Sequence, residues 1–275
     1  MTHYNLFISK GTLLFIVFFL SGCDIFQSDV NDHIAEPSEI YDEGMTIRFF
    51  EHSSDADLRL IMQTKGEFNY YSIDFEVVDH QINSTFTREI IINGILNRPE
   101  FSPSTPNVAT SHISFSGLEG ELNLLIRDGP YTDSFKTHIT EERVDITPHE
   151  VTFTEIIYER YYRRPPNSLF FSCSTIEAKK ELCRELHELF ETEVNFREFT
   201  FPDDGKIPYP EKEKTWNFEF SAPIRYYIYE SIEDFRHAGQ LLSDFADENN
   251  IKNEDNWLYI VNWKEVAYSS YFMIY

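Results

Sequence analysis

Leu118-Glu-Gly120-Glu-Leu122-Asn-Leu124-Leu-Ile126-Arg-Asp128-Gly129 decides the fold of the first half of the chain. Leu122, Leu124 and Ile126 recur at every second position, the period at which a strand returns side chains to one face. Asp128-Gly129 follows, a pair that forms tight hairpin turns. The same period continues outward from this stretch. It holds for Leu58, Leu60 and Met62, for Ile73, Phe75 and Val77, for Phe86, Ile90 and Ile92, and for Ile113 and Phe115. Pro99, Pro103 and Pro106 exclude residues 98–107 from a central strand, because proline cannot donate to a ladder. About seven short strands between residues 45 and 147 predict an all-β sandwich.

Past Pro165-Pro166 the period changes. Residues 169–173 read as a short apolar strand, and Ser174-Thr-Ile-Glu177 reads as a capping box opening a helix. Ile176, Leu182, Cys183, Leu186, Leu189 and Phe190 form the apolar stripe of that helix. Strand patterns follow at 196–201, 216–220 and 224–229. A second helix starts at Ser231, with Ile232, Phe235, Ala238, Leu242 and Phe245 on one face. Strands at 257–263 and 268–275 end the chain. This order predicts an α+β sandwich with two helices on one face of an antiparallel or mixed sheet. The two prolines set the expected boundary between residues 45–164 and 165–275.

The 118–129 stretch resembles the penultimate strand of bacterial immunoglobulin-like and fibronectin-like modules, where Leu-x-x-Gly-x-Tyr-x-Val-x-Val-x-Asp is common. Leu122 stands here in place of the usual Tyr. The resemblance implies an immunoglobulin-like sandwich for residues 45–164.

Residues 13–20 read LLFIVFFL, an unbroken apolar run of eight. About 20 apolar residues are needed to span a bilayer, so this run fits the core of a signal peptide. Leu20-Ser21-Gly22-Cys23 follows directly, and it resembles the bacterial lipoprotein box. The resemblance implies cleavage before Cys23, so that residues 1–22 are a lipoprotein signal peptide and the Cys23 thiol is the lipidation site. Each buried methylene contributes about 0.8 kcal/mol, and two or more acyl chains hold a protein on a membrane stably. Residues 23–44 are acidic and carry Pro37 and Gly44, which reads as a flexible acidic tether.

Composition bounds the function. The chain has 275 residues, 41% of them hydrophobic and 16% aromatic, which is ample for packed cores. Lys plus Arg number 23 against 47 Asp plus Glu, a net charge of −24. That excess opposes nucleic-acid binding, which needs clustered positive charge, and opposes docking on anionic lipid through a basic face. Three cysteines are too few for a disulfide scaffold.

Several clusters invite a chemical reading. Arg160, Arg163 and Arg164 interleave with Tyr158, Tyr161 and Tyr162. Tyr158, Arg160, Tyr162 and Arg163 are candidate contacts for an anionic group or a sugar. The competing reading, which the acidic composition favours, pairs these arginines with the chain's own carboxylates. His187-Glu188-Leu-Phe-Glu191 resembles the zincin His-Glu-x-x-His motif, with Glu191 at the second His. No third ligand stands nearby, so the stripe predicts His187 on an exposed flank and no metal site. A Cys173–Cys183 disulfide would suit an exported protein. Counted from residue 176, however, Cys183 lies about 10 Å along the helix from the strand end. Bridged Cα atoms lie within about 7 Å, which opposes the bond unless the first turn of the helix is distorted, so both readings stay open. Residues 247–256 are oxygen-rich but lack the Gly and Glu of a calcium loop. Asp203-Asp204-Gly205 reads as a turn.

No nucleophile elbow, phosphate loop or dinucleotide fingerprint is present, and no cofactor is expected. These observations predict a lipid-anchored protein of the bacterial cell envelope. It is held on the membrane by its lipid and is non-catalytic, binding an envelope protein or polysaccharide or serving an envelope assembly. The alternative is a lipid-anchored hydrolase with its site in residues 165–275 or in the cleft between the two modules.

Overall fold

The computed structural model describes residues 38–52, 57–66, 72–82, 85–96, 108–174, 180–210, 214–215, 218–219, 224–251 and 257–270. The apolar run at 13–20, the box ending at Cys23 and the proline loop at 98–107 lie outside them. So do most of the tether, the capping box beyond Ser174 and most of the 252–256 loop.

The tether expected to reach residue 44 gives way to helix α1 (Ser38–Glu43), whose Ile40 is fully buried in the first core. Gly44, at φ +80, donates its N–H to the Ile40 carbonyl, the left-handed residue that commonly ends a helix. Strands β1 (Met45–His52), β2 (Asp57–Thr64), β5 (Thr110–Ser114) and β9 (Thr154–Ile156) form a sheet in the order β5-β2-β1-β9. A second sheet holds β3 (Ser72–Ile82), β4 (Thr85–Leu96), β6 (Gly120–Asp128), β7 (Tyr131–Ile139), β8 (Arg143–Glu150) and β10 (Arg160–Tyr162). Its order is β10-β8-β7-β6-β4-β3. Ile47, Phe49, Leu60 and Met62 from the first sheet meet Ile90, Ile92, Leu124, Ile126 and Phe135 from the second in one hydrophobic cluster. Two sheets sharing one apolar interior make a β-sandwich.

The hairpin at 118–129 is present with its turn one residue later than expected. Asp128 pairs with Tyr131, so the two turn residues are Gly129 and Pro130. Gly129 sits at φ +57 and proline fixes the next φ negative, which is the order that a glycine-first hairpin turn requires. Alternation along β4 breaks after Ile92, and Ile95 is the next buried isoleucine. A register shift opposite Asp74 and Phe75 inserts the extra residue beside Gly94. Ten strands occupy this half among the described residues, against about seven expected. Two pairings, β1 with β9 and β4 with β6, are parallel.

The second half is a five-stranded antiparallel sheet in the order β12-β15-β11-β16-β17, built from β11 (Ser168–Ser174), β12 (Phe196–Phe199), β15 (Arg225–Tyr229), β16 (Trp257–Asn262) and β17 (Ala267–Ser269). A separate two-stranded pair joins β13 (Lys214–Thr215) to β14 (Phe218–Glu219). Leu169, Phe171, Cys173, Tyr227, Tyr229, Leu258 and Ile260 share one sheet face. That face packs against Cys183, Leu186 and Phe190 of α2 (Lys180–Glu193) and Phe235, Ala238 and Leu242 of α3 (Ile232–Glu248). Both helices therefore cover the same side. Fully burying a side chain such as Leu186 contributes about 2 kcal/mol relative to exposure. Ser231 caps α3, accepting from the Asp234 N–H while Asp234 accepts from the Ser231 N–H, a reciprocal capping box.

The geometric objection to the disulfide does not hold. Cys173 and Cys183 are disulfide-bonded, with Cα atoms 5.8 Å apart. Ser174 is the last residue of β11, α2 is described from Lys180, and residues 175–179 lie outside the described residues. The bond itself places Cys183 beside the end of β11.

Candidate functional site

Strand β10 is the seam between the two halves. Its backbone pairs with β8 on one side. On the other, the Tyr162 N–H donates to the Lys206 carbonyl at 2.8 Å and the Lys206 N–H donates to the Arg160 carbonyl at 2.9 Å. Alternation along the strand then sends neighbouring rings to different cores. Tyr161 joins the sandwich cluster, while the Tyr162 ring lies 5.7 Å from Phe201. Burial pushes the Tyr161 phenol up to about 12.

The arginines meet the chain's own carboxylates. Arg160 donates to Asp145 at 2.5 Å and also to Asp204. Tyr162 donates its hydroxyl to the other Asp204 oxygen at 2.5 Å. Arg163 donates to Glu51 at 2.7 Å, and the Arg164 backbone N–H donates to the second Glu51 oxygen at 2.7 Å. The Glu51 side chain is only 2% exposed, so this pair is largely dry. Arg164 reaches Glu265 at 3.1 Å. The Asp203-Asp204-Gly205 turn thus carries an ion-pair partner, which its turn-like sequence gave no sign of.

Of the four candidate contacts, Tyr158 and Arg160 line a shallow cavity of ≈ 300 Å³ with Asp204 and Lys206. Tyr162 and Arg163 turn away into the pairs just described. Two further cavities are rich in aromatic side chains. One, of ≈ 360 Å³, is lined by Phe170, Tyr209, Tyr259 and Arg164, and the other, of ≈ 420 Å³, by Phe201 and Tyr226. The rings of Tyr209 and Tyr226 stack with centroids 5.8 Å apart.

On the helix-covered side, His187 departs from expectation. It is buried rather than flanking, with 7% of its surface exposed. Cys183, Leu186, His187, Phe190 and Val194 follow the three- and four-residue spacing of one helix face, so the period already included position 187. His187 Nδ1 and the Tyr227 hydroxyl are hydrogen-bonded at 2.5 Å, and burial pushes the Tyr227 phenol above its ordinary range. His187 Nε2 lies 3.3 Å from Glu191. Glu198, on edge strand β12, completes a group whose ligand atoms all lie within 4.8 Å of one another. Glu198 also pairs with Arg225 at 3.1 Å. Glu188, the glutamate next to His187 in the motif, pairs with Arg184 on the exposed helix surface.

No protein-family model, curated protein or solved structure matches the chain. Among the described residues no helix is long and apolar enough to cross a membrane.

Proposed function

We propose that this chain is a lipid-anchored protein of the bacterial cell envelope that binds a protein or polysaccharide partner without turning it over. The observation that carries the reading is Leu20-Ser21-Gly22-Cys23, placed directly after an eight-residue apolar run too short to span a bilayer. The Cys173–Cys183 disulfide supports export, since such bonds persist where the cytosolic thiol pool does not reach. Binding is supported over hydrolysis by the cavities near the seam and on the sheet face opposite the helices. Two of them are walled largely by aromatic rings, and the arginines Arg160 and Arg164 that line the cavities already pair with carboxylates. Such surfaces recognise a partner by stacking and shape. Within this reading, residues 45–164 serve as an immunoglobulin-like module. The two packed sheets and the 118–129 hairpin support that likeness, while the ten strands and the internal parallel pair depart from the seven-strand antiparallel pattern.

A fatty-acid probe fed to cells expressing the full chain tests the anchor. Label should enter the wild type and be absent from Cys23→Ser, which should also leave the membrane fraction. Equal labelling of both overturns the reading. The hydrolase alternative draws on one observation, the convergence of His187, Glu191 and Glu198.

A further inference from the structure

His187 and Glu191 stand one turn apart on α2, and Glu198 reaches them from the neighbouring edge strand β12. We propose that these three side chains bind one divalent transition-metal ion of the zinc class, through His187 Nε2 and one oxygen of each glutamate. The inference is independent of the lipid anchor.

Four features of the geometry argue for it. The donor set is one imidazole and two carboxylates, which suits zinc and leaves a fourth position for water or a partner's group. Magnesium and calcium prefer all-oxygen shells, so the imidazole selects against them. Zinc bonds of about 2.0 to 2.2 Å place tetrahedral ligand atoms about 3.4 Å apart. The group spans at most 4.8 Å, and the glutamate side chains are 50% and 40% exposed. Rotation of these mobile arms closes the gap, while the buried imidazole stays fixed.

The support around the histidine is the third feature. A metal-bound imidazole uses its second ring nitrogen to donate to an oriented acceptor. The Tyr227 oxygen already sits at 2.5 Å from Nδ1. On binding, Nε2 gives up any proton to solvent, and Nδ1–H donates to Tyr227, so the ligand is neutral imidazole. Charge is the fourth. Two carboxylates balance the double charge of the ion. A His187–Glu191 ion pair alone would not need Glu198. Arg225, at 3.1 and 3.2 Å from the two Glu198 oxygens, competes for that ligand and moderates the affinity.

The test uses the full chain in detergent, stripped with a chelator and titrated with Zn²⁺ alone in a calorimeter. One saturable site per chain is expected. Glu191→Gln and Glu198→Gln should each weaken it by about tenfold or more, with unchanged circular dichroism. Both side chains are half-exposed, so these variants keep the fold even if His187→Ala does not. Co²⁺ in place of Zn²⁺ should give the visible absorption of a four-coordinate site, lost in both variants. A thousandfold excess of Mg²⁺ should leave Zn²⁺ in place. Many weak sites displaced by Mg²⁺ would identify mere association with an acidic surface and overturn the proposal. Affinity unchanged in both glutamate variants would overturn it too.

Discussion

Asp145 carries two arginines at once. Arg160 donates to it at 2.5 Å and Arg143 at 2.8 Å. Burial by itself would raise the carboxyl, but these two donors outweigh it and hold the group below its ordinary 3.8. The sign of the pH dependence follows. The unfolded chain takes up its proton at the ordinary value and the folded chain only lower down. The stabilisation is therefore complete above about pH 4 and is lost as pH falls through the folded value. Asp145→Asn should lower stability in urea by about 1 to 2 kcal/mol near neutral pH. That difference should shrink as pH falls through the lowered folded value, where the wild-type carboxyl takes up its proton. A difference that stays constant with pH would mean that shape, and not charge, makes the contribution. At this scale the sequence is read most faithfully where a residue obeys a period. Leu186 and Phe190 were legible from the stripe and are fully buried. His187 lies at the edge of the stripe set by Leu186 and Phe190, and the face is wide enough to bury it as well. Glu198 and Asp204 had no signal to offer, since each gains its role only from partners in another element, which no local pattern pairs with it.

The elements show why an accurate period can still yield a wrong contact. The helix-forming pattern of residues 176–190 predicts a helix but not the residue at which it starts. A straight helix counted from residue 176 would hold Cys183 about 10 Å from the strand end, yet the bonded cysteines have Cα atoms 5.8 Å apart. The resulting bond ties the central strand β11 to the helix that covers it. Closing a loop of this size contributes about 2 to 4 kcal/mol, mainly by restricting the unfolded chain. Urea unfolding should therefore shift to lower denaturant when reductant is added. Cys173→Ala with Cys183→Ala should melt at that lower midpoint with or without reductant. An identical midpoint for oxidised and reduced wild type would remove the bond from the energetics. Strand pairing shows the same limit from the other side. Alternation located β2, β4 and β6, yet the parallel contact of β4 with β6 depends on a crossover that no local pattern encodes. The run from 143 to 162 divides among three strands in two sheets, a division that no local pattern in it encodes.

At the scale of the whole molecule, the two apolar clusters remain distinct. One runs from Ile40 to Tyr161 and the other from Leu169 to Ile260, with Pro165-Pro166 between them. What crosses that gap is the backbone exchange between β10 and Lys206, the Asp204 contacts, the Arg164–Glu265 pair and the ring contact of Tyr162 with Phe201. Glu51 belongs to β1, yet it accepts from the Arg163 side chain and from the Arg164 backbone. It therefore pins the chain just before the two prolines onto the sandwich. A peptide bond held this way is a poor protease substrate, because cleavage needs local unfolding. Trypsin should spare the Arg163–Arg164 bond in the wild type, even though a boundary read from composition alone predicts ready cleavage. Glu51→Ala leaves one guanidinium and one backbone N–H without their buried partner. That should cost about 3 to 5 kcal/mol in the first module. It should also expose the 163–164 bond, so that limited digestion releases a β-rich fragment ending near residue 163 and a mixed fragment beginning near 164. Each fragment would retain its own cluster, and heating the variant should resolve two transitions where the pinned wild type shows one. Fast cleavage at this bond in the wild type would show that Glu51 does not hold the seam. A single transition in the variant, with no stable fragment, would show that the two clusters fold as one unit.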